Sequence, residues 1–189
     1  AMLRAQNSYG NLEIMLPMVS RLEEVTQMKA MLVNLKQELE AELKTTIKMP
    51  RFGVMVEVPS MIYMIDEIAS EVEFFSIGSN DLIQYLLAID RTNPKVSRFF
   101  DPFHPAVVRC LADLISRVER CHSEISVCGE IAGNPLGALM LLSLGYERLS
   151  MNYSEMGRIR YLVRRVHAGD LLELGKQALS MNSSQQIRK

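Results

Sequence analysis

The 189-residue chain is long enough for one ordinary domain, and its formal charge of −1 leaves no basic surface for nucleic acid or an acidic membrane. No apolar stretch approaches the roughly 20 residues of a membrane span, and the first residues lack a secretion-signal pattern. Three cysteines at irregular spacing supply neither a disulfide framework nor a zinc ligand set, which points to a reduced, cytoplasmic setting.

Residues 11–15 read as a short strand, ended by Pro17. Ser20 then opens a long helix, with Glu23 three residues on as the partner of a capping box. Leu22, Val25, Leu32, Leu35, Leu39 and Leu43 form its apolar stripe. Residues 52–58 are a second strand, apolar and β-branched as a strand buried on both faces would be. Pro59 and Ser60 begin a helix running to about Ala69. Residues 73–77 form a third strand and 81–89 the next helix. The stretch 90–105, with Pro94, Pro102 and Pro105, is a loop long enough to suspect of function. A helix follows with Val107, Val108, Leu111, Leu114, Ile115 and Val118 on one face. Residues 125–128 are a fourth strand, and Asn134-Pro135 pairs a cap with proline at the first helical position. Residues 148–151 make a fifth strand, before two helices that run to about Leu179. Strand and helix alternating five times predicts an α/β fold with a parallel sheet and right-handed crossovers.

In such a sheet the chemistry gathers at the carboxyl ends of the strands. Polar groups stand just past four of the five strand-like runs: Glu57, the pair Asn80-Asp81, Cys128 and Asn152. Glu57 lies between Val56 and Val58-Pro59, where a carboxylate needs a cation, a metal or a full set of hydrogen bonds. An ion pair with one of the 21 Lys and Arg residues accounts for it as well as a metal does. Ser79, Asn80 and Asp81 are ordinary helix-capping residues. A helix start after Gly78 also presents free N–H groups to a phosphate, and a second carboxylate beside Glu57 suits Mg²⁺. Arg91 closes the following helix, favourable to its dipole and available as an anion-binding group. Cys110 and Cys121 read as inert thiols within or at the end of a helix. His104, His122 and His167 share no spacing that makes a metal site or triad.

These motifs resemble the phosphoenolpyruvate-binding domain of enzyme I of the bacterial phosphotransferase system. The resemblance rests on Leu3-Arg4-Ala5, Ile14-Met15-Leu16-Pro17-Met18, Gly53-Val54-Met55-Val56-Glu57-Val58-Pro59, Phe74-Phe75-Ser76-Ile77-Gly78-Ser79-Asn80-Asp81-Leu82, Ala88-Ile89-Asp90-Arg91 and Cys128-Gly129-Glu130-Ile131-Ala132-Gly133, in that order. Pyruvate phosphate dikinase and phosphoenolpyruvate synthase share the glutamate strand, the Asn-Asp turn and Cys-Gly-Glu. Val58-Pro59-Ser60-Met61, Leu149-Ser150-Met151-Asn152 and Tyr161-Leu162-Val163-Arg164-Arg165 lean towards the nitrogen-regulatory paralogue, and the choice between that branch and the sugar-transport one stays open.

The resemblance implies a (β/α)₈ TIM barrel of the phosphoenolpyruvate/pyruvate type, with residues 1–189 as its carboxyl-terminal portion of about five βα units. It implies Glu57 and Asp81 as Mg²⁺ ligands, and Arg4, Asn80, Asp81 and Arg91 as substrate-binding residues. Cys128 would be the acid that protonates the methylene carbon of the enolate. The implied partners are phosphoenolpyruvate and pyruvate, a phosphocarrier protein reached through a separate amino-terminal phosphohistidine domain, and a second copy in a homodimer. Ser79 stands where the family has Thr, and Asn134 where it has Asp. The family's barrel has more strands than these five, so the chain alone is expected either to self-associate through the opening or to be ordered only beside the rest of the barrel. Two further phosphate-binding arginines belong to those upstream strands, so it is also expected to bind substrate weakly. Two other readings compete. A Mg²⁺-dependent lyase of pyruvate enolates would need no thiol acid, and a non-catalytic phosphoenolpyruvate-sensing dimerisation module has Asn134 as its only support.

Overall fold

The computed structural model describes residues 1–189. Five strands, β1 (Glu13–Leu16), β2 (Arg51–Val56), β3 (Phe74–Gly78), β4 (Glu124–Cys128) and β5 (Leu149–Ser150), lie side by side in chain order, each parallel to the next. A doubly wound sheet reverses its strand order at a switch point, whereas here every crossover advances the same way. That unreversed order is the wall of a barrel, and the chain forms five consecutive βα units of a (β/α)₈ fold.

The helices are α1 (Met2–Tyr9), α2 (Leu22–Leu43), α3 (Ile65–Ile68), α4 (Ser79–Leu87), α5 (Pro105–Arg120), α6 (Glu130–Gly133), α7 (Pro135–Ser143), α8 (Tyr153–Val163), α9 (Ala168–Ser180) and α10 (Ser184–Ile187). No helix is long and apolar enough to cross a membrane. Alternation along each strand separates two faces. Phe52, Val54, Val56, Phe75, Ile77 and Val127 point outward and are buried under Val25, Leu32, Ile65, Val107, Leu111, Leu114 and Val118 of the helices. The inner face carries Glu13, Met15, Phe74, Ser76, Glu124, Ser126, Cys128 and Ser150, around a groove of about 300 Å³. β2 is therefore buried on one face rather than two, with Arg51 and Met55 only half-buried inside the curve.

Across the amino ends of the strands the inner face is bridged by charge. Arg51, opposite Glu13 in register, bonds Glu13 at 2.8 Å and Glu124 at 3.0 Å, and Arg148 bonds the same Glu124. The Arg51 guanidinium also lies 5.4 Å from the centroid of the Phe74 ring.

Element boundaries shift in instructive places. α2 begins at Leu22, after an extended Arg21, so its third residue is Glu24 and not Glu23. The Glu24 carboxylate accepts the Ser20 N–H at 2.7 Å and the Arg21 N–H at 3.1 Å. Of its apolar stripe only Val25, Leu32 and Leu39 are buried, while Leu35 and Leu43 are exposed. Residues 59–69 form a 3₁₀ stretch, Pro59–Met64, followed by the single turn of α3. α4 starts at Ser79 with no loop after β3, and ends where Ala88 turns left-handed at φ 52°. His104 caps α5, its Nδ1 accepting the Ala106 N–H at 3.1 Å.

Candidate active site

Glu57 directly follows β2 and is 3% exposed. Its Oε1 accepts the Met18 N–H at 2.6 Å, and no salt bridge reaches it. Met18 supplies that N–H from a left-handed backbone, φ 54°, a conformation costly for a side chain with a Cβ. Burial pushes the Glu57 carboxyl up, the Met18 N–H opposes this, and the charge of Asp81 adds to it. The carboxylate rests in a slot made by Gly78, where a Cβ would stand 2.5 Å from Glu57 Oε2. Only glycine permits the approach.

Because α4 follows β3 without a loop, Asn80 and Asp81 fall in its first turn, where helix amides are unpaired. Asp81 Oδ1 accepts from Arg91 Nη2 at 3.2 Å, both side chains about one-third exposed. The left-handed turn at Ala88 brings the chain back, and the Arg91 N–H is tied to Gln84 Oε1 at 3.2 Å. Exposed pairs of this kind contribute about 0–1 kcal/mol, so Arg91 can change partners at little cost.

Cys128 is held to this turn by backbone. Ser79 Oγ donates to the Cys128 carbonyl at 2.6 Å, and Asn80 Oδ1 accepts the Glu130 N–H at 3.3 Å. The approach requires Gly129, which sits at φ 111° and whose Cβ would stand 2.3 Å from Ser79 Oγ. The half-buried Cys128 thiol donates to the Ile77 carbonyl at 3.3 Å. Burial pushes the thiol up, the Ser76 hydroxyl opposes, and the charges of Glu57 and Asp81 reinforce the rise. Cys128 therefore keeps its proton at neutral pH, as a proton donor must. Cys110, pushed up to about 12 by burial and by the charge of Asp113, lies within α5, and Cys121 Sγ lies 3.4 Å from Asp66.

Glu57, Asn80, Asp81, Arg91 and Cys128 thus come together at the carboxyl ends of β2, β3 and β4. Arg4 does not join them. α2 runs back towards the amino ends of the strands, and Arg4 is bound to Glu42 in its last turn by two contacts of 2.7 Å. Neighbouring Leu3 packs with Leu39, Ile47 and Met49 at that same end. A motif match gives residue identity but not the side of the barrel.

A cleft of about 620 Å³ opens beside Cys128, lined by Asn80, Glu130, Asn134, Asn152, Glu155 and Arg158 among others. A second, of about 510 Å³, holds Arg91, Thr92, Ser97 and Phe100 and shares Asn80 and Glu130 with the first. Asn134 serves chiefly as the α7 cap, accepting from the Leu136 and Gly137 N–H groups at 3.0 and 3.1 Å. Sequence reading missed Met18 and Arg158, and took Ser79 only as a helix-capping residue. Met18 and Ser79 act through backbone contacts that no side-chain pattern announces. Arg158, paired to Glu155 at 2.7 Å, stands six residues past Asn152 on the helix that Asn152 opens, and that position was its only signal.

The chain matches, over residues 1–168, the family described as PEP-utilising enzyme, PEP-binding domain (PEP, phosphoenolpyruvate). It is 41% identical over 189 residues to the phosphoenolpyruvate-dependent phosphotransferase system protein of Escherichia coli K12, covering 100% of this chain and 25% of that one. It is 35% identical over 187 residues to the phosphoenolpyruvate-protein phosphotransferase of Listeria monocytogenes, covering 99% and 32%. The chain thus spans a quarter to a third of the length of these relatives. A citrate lyase from Burkholderia xenovorans LB400 shares the fold, with a TM-score of 0.57 at 14% identity over 93% of this chain and 60% of that one. The match along most of its length makes the chain a member of the PEP-utilising enzymes, within their PEP-binding domain.

Proposed function

We propose that this domain binds phosphoenolpyruvate with Mg²⁺, and belongs to a phosphotransferase that moves the phosphoryl group to a histidine and releases pyruvate. One observation carries the reading: Glu57 is buried with no cation, its charge meets that of Asp81, and a protonated thiol stands on the adjoining strands. No three His, Cys, Asp or Glu side chains converge on a metal. Two carboxylates with the remaining ligands from substrate and water is the usual way of holding Mg²⁺. The donor set fits, with Glu57 and Asp81 as ligands, and a bound Mg²⁺ supplies charge neutralisation for the phosphate and carboxylate of the substrate.

Asn80 and the first amides of α4 orient the substrate, and Arg91 leaves its exposed contact with Asp81 for the phosphate. After transfer, the electron pair of the enolate C=C bond takes the Cys128 proton at the methylene carbon. The S–H bond breaks, a C–H bond forms, the enolate oxygen becomes the pyruvate carbonyl, and a thiolate remains. The relatives' names, a phosphoenolpyruvate-dependent phosphotransferase system protein and a phosphoenolpyruvate-protein phosphotransferase, support phosphoenolpyruvate as the phosphoryl donor and a protein as the acceptor.

Calorimetric titration of the intact protein with phosphoenolpyruvate, with Mg²⁺ and then with chelator, tests the reading. Binding should require the metal and be lost in Glu57→Gln. Equal affinity in chelator would overturn the metal assignment.

A further inference from the structure

The proline-bearing stretch 90–105 has so far been given no role beyond that of Arg91. It is a run of bonded turns rather than a slack loop. The Asn93 N–H donates to the Asp90 carbonyl at 3.2 Å, the Ser97 N–H to that of Asn93 at 2.9 Å, and the Phe100 N–H to that of Ser97 at 3.0 Å. The His104 N–H then donates to the Asp101 carbonyl at 3.1 Å. Arg91 and Thr92 from its start and Ser97 and Phe100 from its later half line the second cleft together.

Directly after Phe100, Asp101 is gripped by a distant part of the chain. Its Oδ1 accepts the Phe103 N–H at 2.9 Å and a bond from Arg188 Nη2, 87 positions on. The Arg188 guanidinium also lies 4.2 Å from the centroid of the buried Phe103 ring. The segment that brings Arg188 there is itself fastened. Arg109 of α5 donates to the Met181 carbonyl at 3.2 Å and to Asn182 Oδ1 at 2.9 Å, and Ile187 of α10 packs against the core. An isolated exposed ion pair contributes little, but here the Asp101 side chain is only 25% exposed and the guanidinium is stacked on an aromatic face. Residues 181–189 lie beyond the stretch matched to the family, 1–168.

We propose that Asp101 and Arg188 are a positioning pair, through which the segment 181–189 clamps the 90–105 stretch and fixes the Phe100 wall of the cleft that holds Arg91. The inference rests on the phosphate-binding role proposed for Arg91. Neither Asp101 nor Arg188 lines either cleft, so both act through the stretch between them and the site. With the clamp in place the wall is ordered before the substrate arrives. Without it the ordering falls on binding, and the loss shows in KM rather than in kcat.

Two measurements on the intact protein test this: hydrogen exchange of the 91–100 amides without ligand, and KM and kcat for phosphoenolpyruvate. Arg188→Ala should speed the exchange and raise KM, each by about fivefold, with kcat within about twofold. Asp101→Asn, which still accepts the Phe103 N–H, should do the same. The double variant should be no worse than either single one, because each removes the same interaction. Arg188→Lys, which keeps the charge, should stay within about twofold of the native protein. Unchanged exchange in Arg188→Ala, additive losses in the double variant, or a lysine variant as impaired as the alanine one would overturn the clamp. Faster exchange with an unchanged KM would overturn the positioning role and leave only a structural tether. A native protein that does not bind phosphoenolpyruvate would instead overturn the reading on which the inference rests, while the exchange rates would still decide whether the segment holds the stretch.

Discussion

At the amino ends of the strands Glu13, Arg51, Glu124 and Arg148 form a set of mutual ion pairs, whereas at the carboxyl ends Glu57 is buried with no cation. The carboxyls respond in opposite directions. Arg51 and Arg148 hold Glu124 below the ordinary carboxylate range, while burial holds Glu57 above it. Both residues are glutamates facing the inside of the same sheet. The difference lies in their partners: the lower carboxylates meet guanidinium groups of the same chain, and Glu57 meets the Met18 N–H and no cation. Charge pairing, more than residue type, separates the end that holds the strands together from the end proposed to bind.

The largest effect expected from breaking the upper end is on proton transfer. Cys128→Ala should cut deuterium incorporation into pyruvate by at least about 100-fold with little change in substrate affinity, while Cys110→Ala leaves it intact. Mass spectrometry of the pyruvate decides between them. Next in size is the junction that brings Cys128 to Asn80. Gly129→Ala should cost about 2–3 kcal/mol in urea unfolding, from the strain at positive φ added to the contact with Ser79.

The two glutamates then offer a direct test by pH. A carboxyl raised in the folded state ionises at a cost, which sets in above its unfolded value near 4 and is complete once the pH passes the folded value. Glu57→Gln should therefore gain on the native protein as pH rises through the carboxylate range, since its amide oxygen still accepts the Met18 N–H. Glu124, lowered in the folded state, contributes stability above its ordinary range and loses it as pH falls. Glu124→Gln should accordingly be the less stable by about 1 kcal/mol at neutral pH, with the difference vanishing in acid. Thermal melts from pH 3 to pH 8 give both curves, and parallel curves would erase the contrast. The smallest effect belongs to Arg4→Ala, which lies at the ion-paired end and should leave phosphoenolpyruvate affinity within about twofold.

Much of this organisation was legible in the sequence because side-chain period reports it. Alternation and β-branched runs gave all five strands, and polar residues just past their ends marked Glu57, Asn80, Asp81 and Cys128. What escaped was carried by the backbone. Nothing in the letters says that α4 starts flush with β3, that a left-handed Met18 aims its N–H at Glu57, or that Ser79 reaches the Cys128 carbonyl. Arg4 was misplaced for a related reason: its helix sits at the far end of the strands, which only the return path of α2 reveals. The extended backbone of Arg21, which starts the helix at Leu22, moved the capping carboxylate from Glu23 to Glu24 by a single dihedral choice, finer than any composition pattern resolves.

The slot at Gly78 ties together two positions far apart in the chain. Position 57 supplies a long acidic side chain and position 78, on the next strand and 21 residues on, leaves out the Cβ that would keep it from lying down. A methyl group added at 78 would stand 2.5 Å from the Glu57 Oε2, so a change on one strand is felt as a shift of the carboxylate on its neighbour.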